Sequence, residues 1–164
     1  MRISLFWAVS LVALVVFCAW WMIFWFPRRR DAGYFFFDAQ DSYNAKLRNR
    51  TLPASAEKGT FEPLLKHYIG VTQLLITVAA ASIAFGANTQ QVTPIVIAKL
   101  LLAWSIFFGV LFSALLLYRY DEYSQDLESY TLPWYSTIFA FGFSSLSCFV
   151  VGYLAWGYGL SSQH

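Results

Sequence analysis

Charged residues are scarce in this chain and unevenly placed. Asp, Glu, Lys and Arg make up 12% of the 164 residues, against roughly 25% in an ordinary globular domain. All nine acidic residues lie outside the long apolar segments of the sequence. A soluble domain of this size needs a charged surface over its core. The composition therefore excludes that class and indicates a chain whose main solvent is lipid.

Residues that usually build catalytic and metal sites are also few. The chain has two histidines, His67 and His164, and two cysteines, Cys18 and Cys148, that lie within apolar segments. This set is too small for a usual zinc site, and it supplies no nucleophile with a base and an orienting acid. No Gly-rich phosphate loop is present. We expect no enzyme activity, no cofactor, no metal and no nucleic-acid partner, and these residues identify no small-molecule substrate.

Long hydrophobic runs are what the sequence does contain. Four of them cover about residues 3–26, 68–87, 94–118 and 133–158, and each reaches the roughly 20 residues that a helix needs to cross a bilayer. A backbone in hydrocarbon must satisfy its own hydrogen bonds, so each run is predicted to be a helix. The expected fold is an all-α integral membrane protein with four transmembrane helices in a single membrane domain. The first run stays apolar to Phe26, so we expect an uncleaved anchor rather than a signal peptide.

Basic residues are concentrated in one connection, residues 27–67. Eight of the eleven Lys and Arg residues lie between positions 28 and 66. Basic loops are retained on the cytoplasmic side, so this loop is predicted to be cytoplasmic and both termini to lie outside. The expected location is a bacterial inner membrane.

The basic residues of this loop are the predicted membrane-surface or partner-binding residues: Arg28, Arg29, Arg30, Lys46, Arg48 and Arg50. Next to anionic headgroups each contributes about 1 kcal/mol of attraction. A phosphoinositide or nucleotide pocket is a rival interpretation, disfavoured because no Gly-rich or helix-capping element accompanies the arginines.

Small residues recur at every fourth position in the later helices, which favours close backbone packing in lipid. The predicted packing residues are Ser105, Gly109 and Ser113 in the third segment and Ser136, Ala140, Ser144, Cys148 and Gly152 in the fourth. The first segment has no comparable row. We therefore predict a tight bundle of the second, third and fourth helices with a more peripheral, lipid-facing first helix. The alternative is that the long row of the fourth helix joins protomers into an oligomer.

Polar side chains within the spans are the remaining candidates. Lys99 and Gln73 are interpreted as possible pore residues, although Lys99 is also long enough to reach the membrane surface. A cytoplasmic-side ionic cluster is predicted from residues at the helix ends: Lys66, His67, Arg119, Asp121 and Glu122. This cluster is read either as a solvated collar or as a pH- or ligand-sensitive latch.

Two functional hypotheses follow from these features. The first is a non-enzymatic membrane protein that serves as a subunit or partner-binding scaffold, with the bilayer and other membrane subunits or a second copy as partners. The alternative is a small oligomeric channel or membrane-permeabilising effector with Ser, Thr and Gln along its path. A protein that binds a toxin within the membrane is a third, weaker reading.

Overall fold

The structure is a computed structural model that describes the backbone of residues 2–25, 54–86, 92–124 and 132–161. Within those ranges it describes the side chains of 4–25, 65–86, 92–118 and 136–161. Four helices occupy these ranges: α1 (Arg2–Trp25), α2 (Ala54–Phe85), α3 (Thr93–Ser124) and α4 (Leu132–Ser161). Each contains a stretch long and apolar enough to cross a membrane. Over the described residues, the prediction of an all-helical chain with four such helices is confirmed.

The apolar stretches begin and end close to the predicted positions, at Ser4–Trp25, Leu65–Phe85, Thr93–Tyr118 and Ser136–Ser161. The α2 and α3 helices run furthest beyond their apolar parts, α2 at its start and α3 at its end. The α2 helix begins at Ala54, directly after Pro53, and continues through Gly59, so the last part of the predicted loop 27–67 is helical. A proline just before the first turn is compatible with helix initiation because its own N–H is not needed there.

The α3 and α4 helices form the most extensive interface of the molecule and run antiparallel. Near one end Ile95 lies against Gly159, and near the other Phe112 lies against Gly142. In the apolar stretches of α3 and α4, 39% of the residues are buried, against 11% in those of α1 and α2. The centre of the fold is therefore the α3–α4 pair.

The other two helices flank this pair. The α2 helix packs mainly against α3, and α1 packs mainly against α4 with a smaller contact to α3, whereas α2 and α4 share few contacts. The prediction of a tight bundle of helices two to four with a peripheral first helix is therefore wrong in its arrangement. Only α3 and α4 pack tightly, and α1 is packed as extensively as α2.

Aromatic side chains explain how α1 packs without a row of small residues. Phe17 lies 4.6 Å from Phe141 between ring centroids, and Trp20 lies 4.8 Å from Phe143. The indole N–H of Trp20 also donates to Ser147 Oγ at 2.9 Å. Aromatic rings of α1 that were predicted to face lipid therefore pack against the surface of α4. Aromatic pairs of this geometry add attraction beyond the area they bury.

Candidate functional site

The centre of the α3–α4 interface is a reciprocal pair of serine hydrogen bonds. Ser105 Oγ donates to the Ser145 carbonyl at 2.8 Å, and Ser145 Oγ donates to the Ser105 carbonyl at 2.8 Å. Both side chains are about 1% exposed. Two helices can make this exchange only when their backbones lie close together, so the pair fixes their register as well as their separation.

The small-residue row of α4 is buried in the interior of the molecule. All five of its members are buried: Ser136, Ala140, Ser144, Cys148 and Gly152. Ser105 and Gly109 of α3 are buried as well, and Ser113 is half-buried. The row is occupied by contacts within one molecule, so it is not open to a second copy. This corrects the alternative in which the α4 row joins protomers.

Glycines in the interface allow this close approach. A Cβ added to Gly152 would lie 3.2 Å from the Leu102 side chain and 3.4 Å from the Ala98 carbonyl oxygen. A Cβ added to Gly109 would lie 3.1 Å from Ser145 Oγ and 3.2 Å from Ile76. Gly109 therefore sits where α2, α3 and α4 meet.

Ser145 was missed by the sequence analysis, although its partner Ser105 was included. The four-residue spacing selected Ser144, and Ser145 lies one position away on the neighbouring face of α4. The doublet Ser144–Ser145 within the segment FSSLSC was the only signal in the sequence. Ser144 is fully buried, and its Oγ has no hydrogen-bond partner among the described residues.

A second unpredicted junction joins α2 to α4 near their C-terminal ends. The hydroxyl groups of Ser82 and Tyr153 are hydrogen-bonded to each other. A Cβ on Gly86 would collide with the indole ring of Trp156. These contacts join helices that otherwise barely touch. Ser82 and Gly86 are four residues apart, the spacing of the small-residue rows, whereas no spacing rule selects Tyr153.

The polar residues of α2 fall on different faces of the helix. Thr72 is buried and donates to the Tyr68 carbonyl at 2.7 Å. Gln73 and Thr77 are exposed, and Thr77 Oγ1 donates to the Gln73 carbonyl at 2.8 Å. The side-chain amide of Gln73 has no hydrogen-bond partner within the described part of the chain. Gln73 therefore presents an unsatisfied polar group on the outside of the bundle.

Lys99 and Gln73 do not share a site. Ile76 of α2 lies against Gly109 of α3, and the two helices are antiparallel. Gln73 is displaced from this level towards one end of the bundle and Lys99 towards the other. At the helical rise their separation along the axis is about 20 Å. Lys99 is half-buried and Gln73 is exposed, so the described structure does not bring the two side chains together.

The predicted ionic cluster is described only in part. The side chains of Lys66 and His67 are exposed. Leu65 packs in one cluster with Leu116, which brings the first apolar turn of α2 beside the end of α3. Arg119, Asp121 and Glu122 lie in the last turns of α3, with side chains outside the described residues.

The loop residues proposed as a membrane-surface or partner-binding set also lie outside the described residues: Arg28, Arg29, Arg30, Lys46, Arg48 and Arg50. In the described ranges no three His, Cys, Asp or Glu side chains come close enough to hold a metal ion. Hydroxyl pairs, glycine contacts and aromatic rings join the helices in the described ranges. No protein-family model, curated protein or solved structure matches this chain.

Proposed function

We propose that this protein is a non-enzymatic integral membrane subunit that binds partners in a larger membrane assembly. The observation that carries the proposal is the placement of apolar side chains. Large ones cover the outside of the helices, such as Leu11, Leu74 and Leu154, which are 64%, 64% and 69% exposed. The central interface buries small and hydroxyl side chains together with large apolar ones such as Leu102 and Phe112. Water would penalise such a surface, whereas lipid would not.

The proposed orientation places the basic loop on the cytoplasmic side of a bacterial inner membrane and both termini outside. Support comes from which helix ends meet. Leu65, Leu116 and Ile138 form one cluster, and Phe24 packs on Phe139 nearby. The helix ends and connections on this side of the bundle carry nine of the eleven Lys and Arg residues. An end so much richer in basic residues is the end retained inside.

Alkaline carbonate extraction and cysteine labelling test the membrane placement together. In a Cys18→Ala background, we expect Ala45→Cys to react with a membrane-impermeant maleimide only after the cells are opened. Ser161→Cys, on the last residue of α4, is the matched control and should react in intact cells. Reversed labelling would contradict the orientation, and release of the full chain into the carbonate supernatant would contradict membrane insertion.

The proposed partner-binding surface is the basic loop, because the small-residue row of α4 is buried within the molecule and is not available to a partner. Full-length tagged protein from native membranes is expected to carry a partner that the Lys46→Ala/Arg48→Ala/Arg50→Ala variant loses. Lys99→Ala, a basic residue in a span, is the control that should keep it. Equal recovery by all three proteins would contradict a role for the loop.

A small oligomeric channel or membrane-permeabilising effector is the second proposal, favoured by the exposed polar side chains of Gln73 and Thr77. Because these residues face away from their own bundle, such a path would run between chains. Lys99, on another helix, would bias it towards anions. Ion flux in reconstituted vesicles should then change its anion preference with Lys99→Gln. Vesicles without flux would contradict a channel.

A further inference from the structure

The exposed half of α2 is divided into two strips of different chemistry. One strip carries large apolar side chains that suit lipid: Val71, Leu74, Val78 and Phe85. The other, which we call the polar strip, consists of Gly70, Gln73, Thr77, Ala80 and Ala84, all exposed. Its members follow one another at spacings of three and four residues, the repeat with which two helices pack side by side at a small angle.

Gln73 is the member of the polar strip that calls for a partner. It lies eight residues beyond Leu65, the first residue of the apolar stretch. That is about 12 Å along the helix, near the middle of a hydrocarbon core about 30 Å thick. Lipid offers no hydrogen bonds to the amide, and the described residues of the chain offer none either. Small residues alone would not select a particular partner for the strip. Gln73 does, because its amide requires a polar group at the same depth in the membrane.

A second copy of the same chain supplies that group by symmetry. Copies inserted with the same orientation meet around an axis along the membrane normal, so identical residues lie at identical depths. The Gln side chain has two N–H donors and a carbonyl acceptor. It is therefore complementary to itself, as a lysine or a carboxylate is not.

The space around Gly70 fits the same arrangement. A Cβ on Gly70 would meet nothing within 4 Å in the chain, in contrast to Gly109 and Gly152. Glycine is thus not required there by the fold of one molecule. In a dimer it would allow two α2 helices to approach closely, one turn of helix away from Gln73.

We infer that two copies of this chain associate through the polar strips of their α2 helices, with the two Gln73 amides hydrogen-bonded across the twofold axis. The inference rests on the proposed membrane placement and adds to it a specific partner and surface. The alternative surfaces in the described part of the chain carry no such group. The exposed side of α1 consists largely of bulky apolar residues such as Phe6, Trp7 and Leu11, and the α4 row is already buried.

Dilution in lipid measures the association directly. Full-length chains carrying Cys18→Ala and Ser161→Cys are labelled with donor or acceptor dyes, reconstituted together, and diluted with lipid while energy transfer is followed. We expect Gln73→Leu to weaken association about threefold to fifteenfold, the range of interhelical hydrogen bonds in membranes. Leu74→Ala, on the adjacent lipid-facing strip, should leave it unchanged.

A pair of glycine substitutions separates the interface from the fold. Gly70→Ile should abolish association by holding the helices apart, while circular dichroism and thermal stability stay those of the unsubstituted chain. Gly157→Ile is the matched control on α4, because a Cβ on Gly157 also meets nothing within 4 Å. It should neither unfold the chain nor affect the dimer.

Disulfide crosslinking in native membranes locates the contact. In the Cys18→Ala background, copper phenanthroline should crosslink Thr77→Cys into dimers and leave Leu74→Cys as monomers. Equal crosslinking at both positions would contradict a contact at the polar strip.

Three further outcomes separate this inference from the proposed function. Single copies of the unsubstituted chain at every dilution would overturn the dimer and leave the membrane placement intact. A different protein recovered with the unsubstituted chain and lost with Gln73→Leu, when vesicles contain only monomers, would assign the strip to a foreign partner and overturn self-association. Release of the chain by alkaline carbonate would overturn both proposals.

Discussion

Two adjacent serines of α4 have the same degree of burial and opposite hydrogen-bonding states. Ser145 Oγ donates to the Ser105 carbonyl, whereas Ser144 Oγ has no partner among the described residues. We expect Ser145→Ala to lower the free energy of unfolding by about 0.5–1.5 kcal/mol, because a hydrogen bond between helices is lost. Ser144→Ala should change it by less than about 0.5 kcal/mol or raise it, since burying an unpaired hydroxyl is unfavourable.

Titration with sodium dodecyl sulfate in mixed micelles, followed by circular dichroism, measures both values. The two substitutions remove the same atom from neighbouring positions, so each controls for the other. A larger loss for Ser144→Ala than for Ser145→Ala would show that the reciprocal pair does not hold α3 against α4.

The difference between these serines could not be predicted from the sequence. Spacing shows which face of a helix can approach another closely, and on that ground the α4 row was identified by residue. It does not give the rotation of α4 relative to α3 or their register. Those decide which hydroxyl reaches a carbonyl of the opposite helix, and they depend on how all the side chains of the interface fit together.

At the scale of the helices, two glycines of α4 test where close packing occurs. A Cβ on Gly152 would press against Leu102 and the Ala98 carbonyl, whereas one on Gly157 would meet nothing within 4 Å. We expect Gly152→Val to lower the free energy of unfolding by about 1–3 kcal/mol, as overpacking a tight interface does. Gly157→Val should have little effect in the same mixed-micelle titration. Equal effects would mean that the cost comes from the helical backbone rather than from the interface.

The docking of α1 is the clearest failure of the sequence analysis at this scale. The ends of the apolar helices were predicted within a few residues, because hydropathy and the bilayer thickness limit them directly. The partner of α1 was not predicted. An aromatic side chain is equally apolar whether it meets lipid or another ring, so composition alone cannot distinguish Trp20, packed on Phe143, from Trp7, which is 66% exposed.

The same two tryptophans test this docking. We expect Trp20→Ala to lower the free energy of unfolding by about 1–3 kcal/mol, through the lost ring contact and the lost hydrogen bond to Ser147. Trp7→Ala removes an equally large side chain from the same helix and should change it by less than about 0.5 kcal/mol, because lipid replaces what it touched. Similar losses of stability for both variants would indicate that insertion in the bilayer, and not packing against α4, keeps α1 in place.

At the scale of the whole molecule, charge distribution is expected to set the proposed orientation, and no single cluster should do so alone. Arg28→Ala/Arg29→Ala/Arg30→Ala leaves five of the eight basic residues between positions 28 and 66, against Arg2 and Lys99 near the opposite side. The loop then still holds the larger share, so we expect the orientation to be retained. Labelling of Ser161→Cys from outside intact cells, in the Cys18→Ala background, measures it.

Removing Lys46, Arg48 and Arg50 as well leaves Lys58 and Lys66, in the first part of α2, with Arg119 on that side, and brings the two sides close to balance. We expect part of this population to insert in the opposite orientation, with Ser161→Cys protected until the cells are opened, because the bias that retains the loop inside is gone. Replacing the five arginines of this set by Lys, with Lys46 unchanged, keeps the charge and should restore a single orientation. Full external labelling of the alanine variant would show that the apolar helices themselves fix the orientation. The basic loop would then have no role in orientation, and partner binding would be its only proposed role.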